Sequence, residues 1–151
     1  MSDPVSRIKQ YGLFFSIEVA AMALILWDGV PIYRHLMILE RIGTRSDEVI
    51  MWTAVAAIQF TYWYLLRHEP PFTFQRRPLL AHIVLFVSRL SFVFASSLFA
   101  LVAYRYSDTL DFDPARVVLF IAVLFSVFCF SRHLEAIGNL MLKGPPRITG
   151  A

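Results

Sequence analysis

Apolar residues fill four long stretches of this chain, at residues 11–30, 49–66, 79–104 and 116–141, and polar residues gather between them. A helix of ~20 such residues crosses a hydrocarbon core of ~30 Å, and each stretch meets or approaches that length. The pattern predicts an all-α fold, an integral membrane four-helix transmembrane bundle with short loops, forming a single domain over residues 1–151.

Turn chemistry marks the ends of these stretches. Asp113-Pro114 opens the fourth, because aspartate caps a helix and proline fits the first helical position. Thr44-Arg45-Ser46-Asp47 has the spacing of a capping box before the second. Pro70, Pro71 and Pro78 separate the second from the third, since each lacks an amide donor. Gly144-Pro145-Pro146 stops the fourth.

The least regular piece is residues 31–42, where Ile32, Leu36, Leu39 and Ile42 share one face and Arg34, Glu40 and Arg41 take others. Two readings compete: an amphipathic helix lying on the outer membrane surface, or a kinked extension of the first span beyond Pro31. The charges favour the interfacial helix.

Composition removes the soluble alternatives. Of the 151 residues, 58% are hydrophobic, too many for an ordinary soluble domain of this size. The net charge of +3 comes from basic residues gathered mainly at span ends, where they set topology and meet anionic lipid head groups, so nucleic acid is not an expected partner. Four spans put both termini on one side. Arg7, Lys9, Arg67, Arg76, Arg77, Lys143 and Arg147 share that side, against Arg34, Arg41, Arg45, Arg105 and Arg116 on the other. This bias places the N- and C-termini in the cytoplasm. The first apolar run lacks a small-x-small cleavage pattern and carries Glu18, so it reads as a mature helix, and a bacterial inner membrane is the expected location. The single cysteine, Cys129, excludes an intramolecular disulfide and reads as a small packing residue.

The residues that carry chemistry lie inside the spans. Glu18 and Arg89 each place a charge where an unpaired one is costly. Gln59 falls at a depth between them, so a Glu18–Arg89 ion pair bridged by Gln59 is the expected intramembrane polar site. His82, Arg89 and Ser96 recur every seven residues on one stripe, beside Ser88, which reads as a helix–helix interface. Arg132, Glu135 and Asn139 share a face near the end of the fourth span and form a candidate partner-docking surface. His82 and His133 lie at comparable depth, a placement that in other proteins ligates haem b.

No metalloprotease, nucleophile-elbow, phosphate-loop or Cys-x-x-Cys motif is present, so the chain is not expected to be an enzyme. Phe86, Phe92, Phe94, Phe99, Phe120, Phe125, Phe128 and Phe130 exceed what four helices bury among themselves and suit contact with lipids or neighbouring helices. The expected function is a small non-catalytic accessory or scaffolding subunit of a larger membrane complex, with membrane subunits and lipids as partners and no cofactor. Two alternatives stand behind it: a homo-oligomeric small transporter or channel using Glu18 and Arg89, and a haem b-binding membrane anchor.

Overall fold

A computed structural model describes residues 4–38, 45–68, 77–106 and 114–144. These residues form four helices: α1 (Pro4–Ile38), α2 (Arg45–Arg67), α3 (Pro78–Tyr106) and α4 (Pro114–Lys143). Each is long and apolar enough to cross a membrane, over Val5–Trp27, Glu48–Arg67, Pro78–Leu101 and Val117–Lys143.

The helix ends follow the local chemistry. α3 and α4 both begin on a proline, whose missing amide is no loss in a first turn. α4 ends at Gly144, whose φ of 65° is a left-handed conformation that favours glycine, and its amide donates to the Leu140 carbonyl at 3.1 Å. Residues 31–38 are not a separate element. α1 runs through Pro31 without a break to Ile38, so the extension reading holds there, and residues 39–42 lie outside the described residues. Proline removes one hydrogen bond from a helix but is tolerated in long apolar ones, where the remaining bonds have no solvent to compete with them.

α1 packs chiefly on α2 and α3 chiefly on α4, and α2 against α4 joins the two pairs. Named contacts give the directions. Gln10 bonds to Tyr64 and Phe14 meets Phe60, so α1 and α2 are antiparallel. Ser88 meets Ser131, Phe99 meets Phe120, and the Arg77 amide donates to the Met141 carbonyl, so α3 and α4 are antiparallel too. One end of the bundle therefore gathers the start of α1, the end of α2, the start of α3 and the end of α4. We call it the terminal end.

The core divides along the bundle axis. Towards the opposite end it is apolar, built from Met22, Ile25, Met51, Ala54, Val55 and Val123. Towards the terminal end buried polar groups enter it: Glu18, Thr61, Ser88, Ser126 and Ser131. Thr61 and Ser126 satisfy their hydroxyls on carbonyls one turn back, those of Ala57 and Ala122. Ser88 and Ser131 do more. Each hydroxyl donates to the other residue's carbonyl at 2.7 Å, a reciprocal clamp across the α3–α4 seam.

The same seam depends on Gly138. A Cβ there would stand 2.8 Å from Leu85 Cγ and 3.4 Å from the Ala81 carbonyl oxygen, whereas one at Gly12 meets nothing within 4 Å. Overpacking of this kind costs ~1–3 kcal/mol. Gly138→Leu is therefore expected to lower the thermal unfolding midpoint in detergent, and Gly12→Leu to leave it level or raise it. Equal effects at the two glycines would show that the seam is not tight at Gly138.

Candidate functional site

Tyr11, Phe15, Glu18, Met22 and Ile25 recur at helical spacing along one face of α1. The face is apolar except where Tyr11 and Glu18 interrupt it, and it turns those two groups into the bundle. On α4, Ser126, Phe130, His133 and Ile137 follow the same spacing, so His133 also points inward. The two faces meet at one hydrogen bond. Nδ1 of His133 and Oε2 of Glu18 lie 2.5 Å apart, with the Glu18 side chain fully buried and that of His133 10% exposed.

The chain of contacts continues on the other side of the ring. Nε2 of His133 and the Tyr11 hydroxyl are 3.1 Å apart. Tyr11 and Phe15 both set their rings edge-on to the imidazole, with centroids at 6.2 and 5.6 Å, and so fix its plane. Glu18 Oε1, by contrast, is buried without a hydrogen-bond partner.

This geometry constrains charge. An isolated carboxylate in an apolar interior is far less stable than its neutral acid. Glu18 offsets that cost with the bond to His133, which gives its buried Oε2 a partner. The orphaned Oε1 is the weak point, because it accepts no hydrogen bond.

A second polar group lies beside the first. Gln59 Nε2 donates to Ser126 Oγ at 3.1 Å and stands 3.8 Å from Cys129 Sγ, while Gln59 Oε1 accepts from Trp63 Nε1 at 3.1 Å. Cys129 is buried and Gln59 gives its thiol a polar contact. Nearer the terminal end, Gln10 Nε2 donates to the Tyr64 hydroxyl at 2.7 Å. Polar side chains thus run from the terminal end to mid-bundle and stop at Ile58, Val55 and Met22, which are buried and apolar.

The residues expected to pair do not all meet. Glu18 takes His133, not Arg89, as its partner, and Gln59 bonds to Ser126 and Trp63 rather than bridging to Arg89. Similar depth in two helices does not make them neighbours: α1 and α3 touch at only a few points. Arg89 lies exposed on α3 and, among the described residues, makes no ion pair. Of the stripe that reads as an interface, His82, Arg89 and Ser96 are all exposed, and the seam residue is their neighbour Ser88.

The histidines also part company. His82 is exposed, whereas both ring nitrogens of His133 are engaged inside the bundle, by Glu18 and Tyr11. Iron ligation at His133 would require one of those bonds to break. Arg132 and Glu135 form an ion pair at 2.5 Å on the exposed side of α4, with Asn139 exposed one turn on. Among the described residues no cluster of three metal-ligating side chains occurs. Sequence reasoning missed Tyr11 and the Glu18–His133 pairing, although the face of α1 that carries Tyr11 and Glu18 is legible in the spacing. The chain matches no protein-family model, no curated protein and no solved structure.

If the Glu18–His133 bond ties α1 to α4, replacing either residue alone strands a buried polar group on the other. Glu18→Leu and His133→Leu are each expected to destabilise the bundle in detergent, and the double variant by less than their sum. The coupling should be ~0.5–3 kcal/mol, as for residues in direct contact. Strictly additive losses would mean that the bond contributes nothing.

Proposed function

We propose that this protein is a small, non-catalytic accessory or scaffolding subunit of a larger membrane complex, inserted in a bacterial inner membrane with both termini in the cytoplasm. The observation that carries the reading is Arg89. It lies near the middle of the Pro78–Leu101 segment, on the exposed side of the helix least buried by its own bundle, and no described residue of the chain neutralises it. A guanidinium at that depth in lipid is costly and is ordinarily paired or faces protein. A neighbouring subunit supplies what the chain lacks. The exposed Phe86, Phe92, Phe99, Phe125 and Phe128 agree with such contact, although rings of this kind also face lipid at no penalty.

A second reading, a homo-oligomeric small transporter or channel, draws on the unpartnered Oε1 of Glu18. Within one copy its path is blocked, because the polar side chains end at the apolar half of the core. Transport therefore requires either an opening of that half or a path between copies, with Glu18 and His133 rather than Glu18 and Arg89 handling the charge.

Extraction from native membranes in a mild detergent, followed by sizing and mass spectrometry, is expected to recover the chain with a second membrane polypeptide in fixed ratio. A chain that travels alone in every mild detergent would sink the subunit reading. In proteoliposomes of the purified chain, Glu18→Gln is expected to leave proton and sodium leak rates at the wild-type level. Transport gains ground only if the wild type conducts above the lipid background and that variant does not.

A further inference from the structure

The unpaired arginine belongs to a larger polar surface. On α3, Leu85, Arg89, Phe92 and Ser96 follow i, i+4, i+7, i+11 and share one side of the helix. On α4, Phe128, Arg132, Glu135 and Asn139 do the same. The Phe92 and Phe128 rings touch edge to face with centroids 6.2 Å apart, so the two stripes border the same side of the α3–α4 pair. That side faces away from α1 and α2, because α4 turns His133, Ser126 and Cys129 towards those helices. The level of contact is fixed as well. Ser88 lies opposite Ser131, so in this antiparallel pair Arg89 is level with Phe130, ~3 Å along the axis from Arg132 and ~7.5 Å from Glu135. Two surfaces that sequence places apart, the Arg89 stripe and the Arg132/Glu135/Asn139 face, are one flank.

This flank carries one unbalanced positive charge. Arg132 and Glu135 cancel each other, and Arg89 remains. We infer that the α3–α4 flank is a docking surface for a transmembrane helix of a different subunit, one that presents an aspartate or glutamate carboxylate at the level of Arg89. The inference rests on the subunit reading and names the contact surface and the partner's chemistry.

A second copy does not meet the requirement. A two-fold contact through this flank sets Arg89 against Arg89, at a depth where like charges repel strongly. The chain has no described acid to offer from another exposed face at that level: Glu18 is buried on His133, Glu135 is held by Arg132, and Glu48 sits at the far end of α2. Lipid phosphate is also a poor match. Arg89 lies 11 residues from Pro78 and 12 from Leu101, a rise of ~16–18 Å to either end, farther than an arginine side chain extends. A carboxylate on an adjacent helix needs no such reach. The two phenylalanines beside Arg89 supply the flat apolar contact that excludes lipid from the pair.

Photo-crosslinking in native membranes tests the assignment, with a benzophenone amino acid placed in the full-length chain at Phe92 or Phe128, and at the exposed Phe60 on α2 as control. The expected product at 92 and 128, and not at 60, joins the chain to one other polypeptide. Its crosslinked peptide is a transmembrane segment with an acidic residue within a helical turn of the adduct. Arg89→Leu should lower the yield about tenfold, equivalent to ~1.4 kcal/mol, as should replacing the partner's acid by its amide, while Arg89→Lys keeps most of it. Adducts only with lipid, adducts with a second copy, or a segment without a carboxylate would each overturn the inference. A partner that co-extracts but crosslinks only from Phe60 would overturn the docking surface and leave the subunit reading standing. A chain that travels alone and yields only lipid adducts would remove both.

Discussion

Glu18 cannot stay ionised and alone in an apolar interior, and the hydrogen bond that relieves it positions the rest of the molecule. α1 touches α4 at few points, yet the bond from Glu18 to His133 crosses between them. Helices that meet mainly through alanine and aliphatic side chains can slide and rotate with small changes in packing energy. A fully buried carboxylate has one acceptable neighbour and fixes both rotation and depth. Phe15 and Tyr11, one and two turns away on the same face, then set their rings edge-on to the imidazole. The serine clamp at Ser88 and Ser131 does the corresponding work between α3 and α4, with hydroxyls and no charge.

Set beside that pair, Arg89 is the same constraint left unresolved. One interior charge is satisfied within the chain, while the other faces outward with two aromatic rings and an ion pair for company. A bundle that stood alone would be expected to turn a mid-span cation that is unpaired among the described residues inward, or to lack it. The asymmetry of burial points the same way. α4 is covered on two sides and α3 on little more than one, so the α3–α4 flank is the place where this fold is least finished.

The sequence made the helices legible because their signals are local. A proline at the start of α3 and of α4 and a glycine at the end of α4 act within a few residues, and the four apolar runs need only be counted. The unbroken run of α1 past Pro31 was less legible, since proline in an exposed helix usually ends it. The partner of Glu18 was not legible at all from depth. Glu18, Gln59 and Arg89 do lie at similar heights, but height leaves open which helices are neighbours and which way each side chain points. The missing signal was angular. Tyr11, Phe15, Glu18 and Met22 on one helix, with Ser126, Phe130, His133 and Ile137 on another, are two inward faces, the first broken by Tyr11 and Glu18 and the second by His133, among apolar or small residues. Arg89 breaks from the seam face of α3 by a single residue, since Ser88 lies in the seam and ~100° of rotation carries the next side chain out of it.

That one-residue offset bears on function more than the helix count does. Small four-helix bundles serve many purposes, and the architecture does not choose among them. What does discriminate is where the polar groups stop. Those of the interior run from the terminal end to the middle and meet Ile58, Val55 and Met22, and among the described residues no buried hydroxyl or amide lies beyond them. Those of the exterior lie on one flank at the level of the interior ones. A conduit would need polar groups along its whole length. A module that must hold its own shape and also be recognised at one depth needs two polar sites at the same level, one turned inward and one outward, and Glu18 with His133 and Arg89 with its neighbours are arranged in that way.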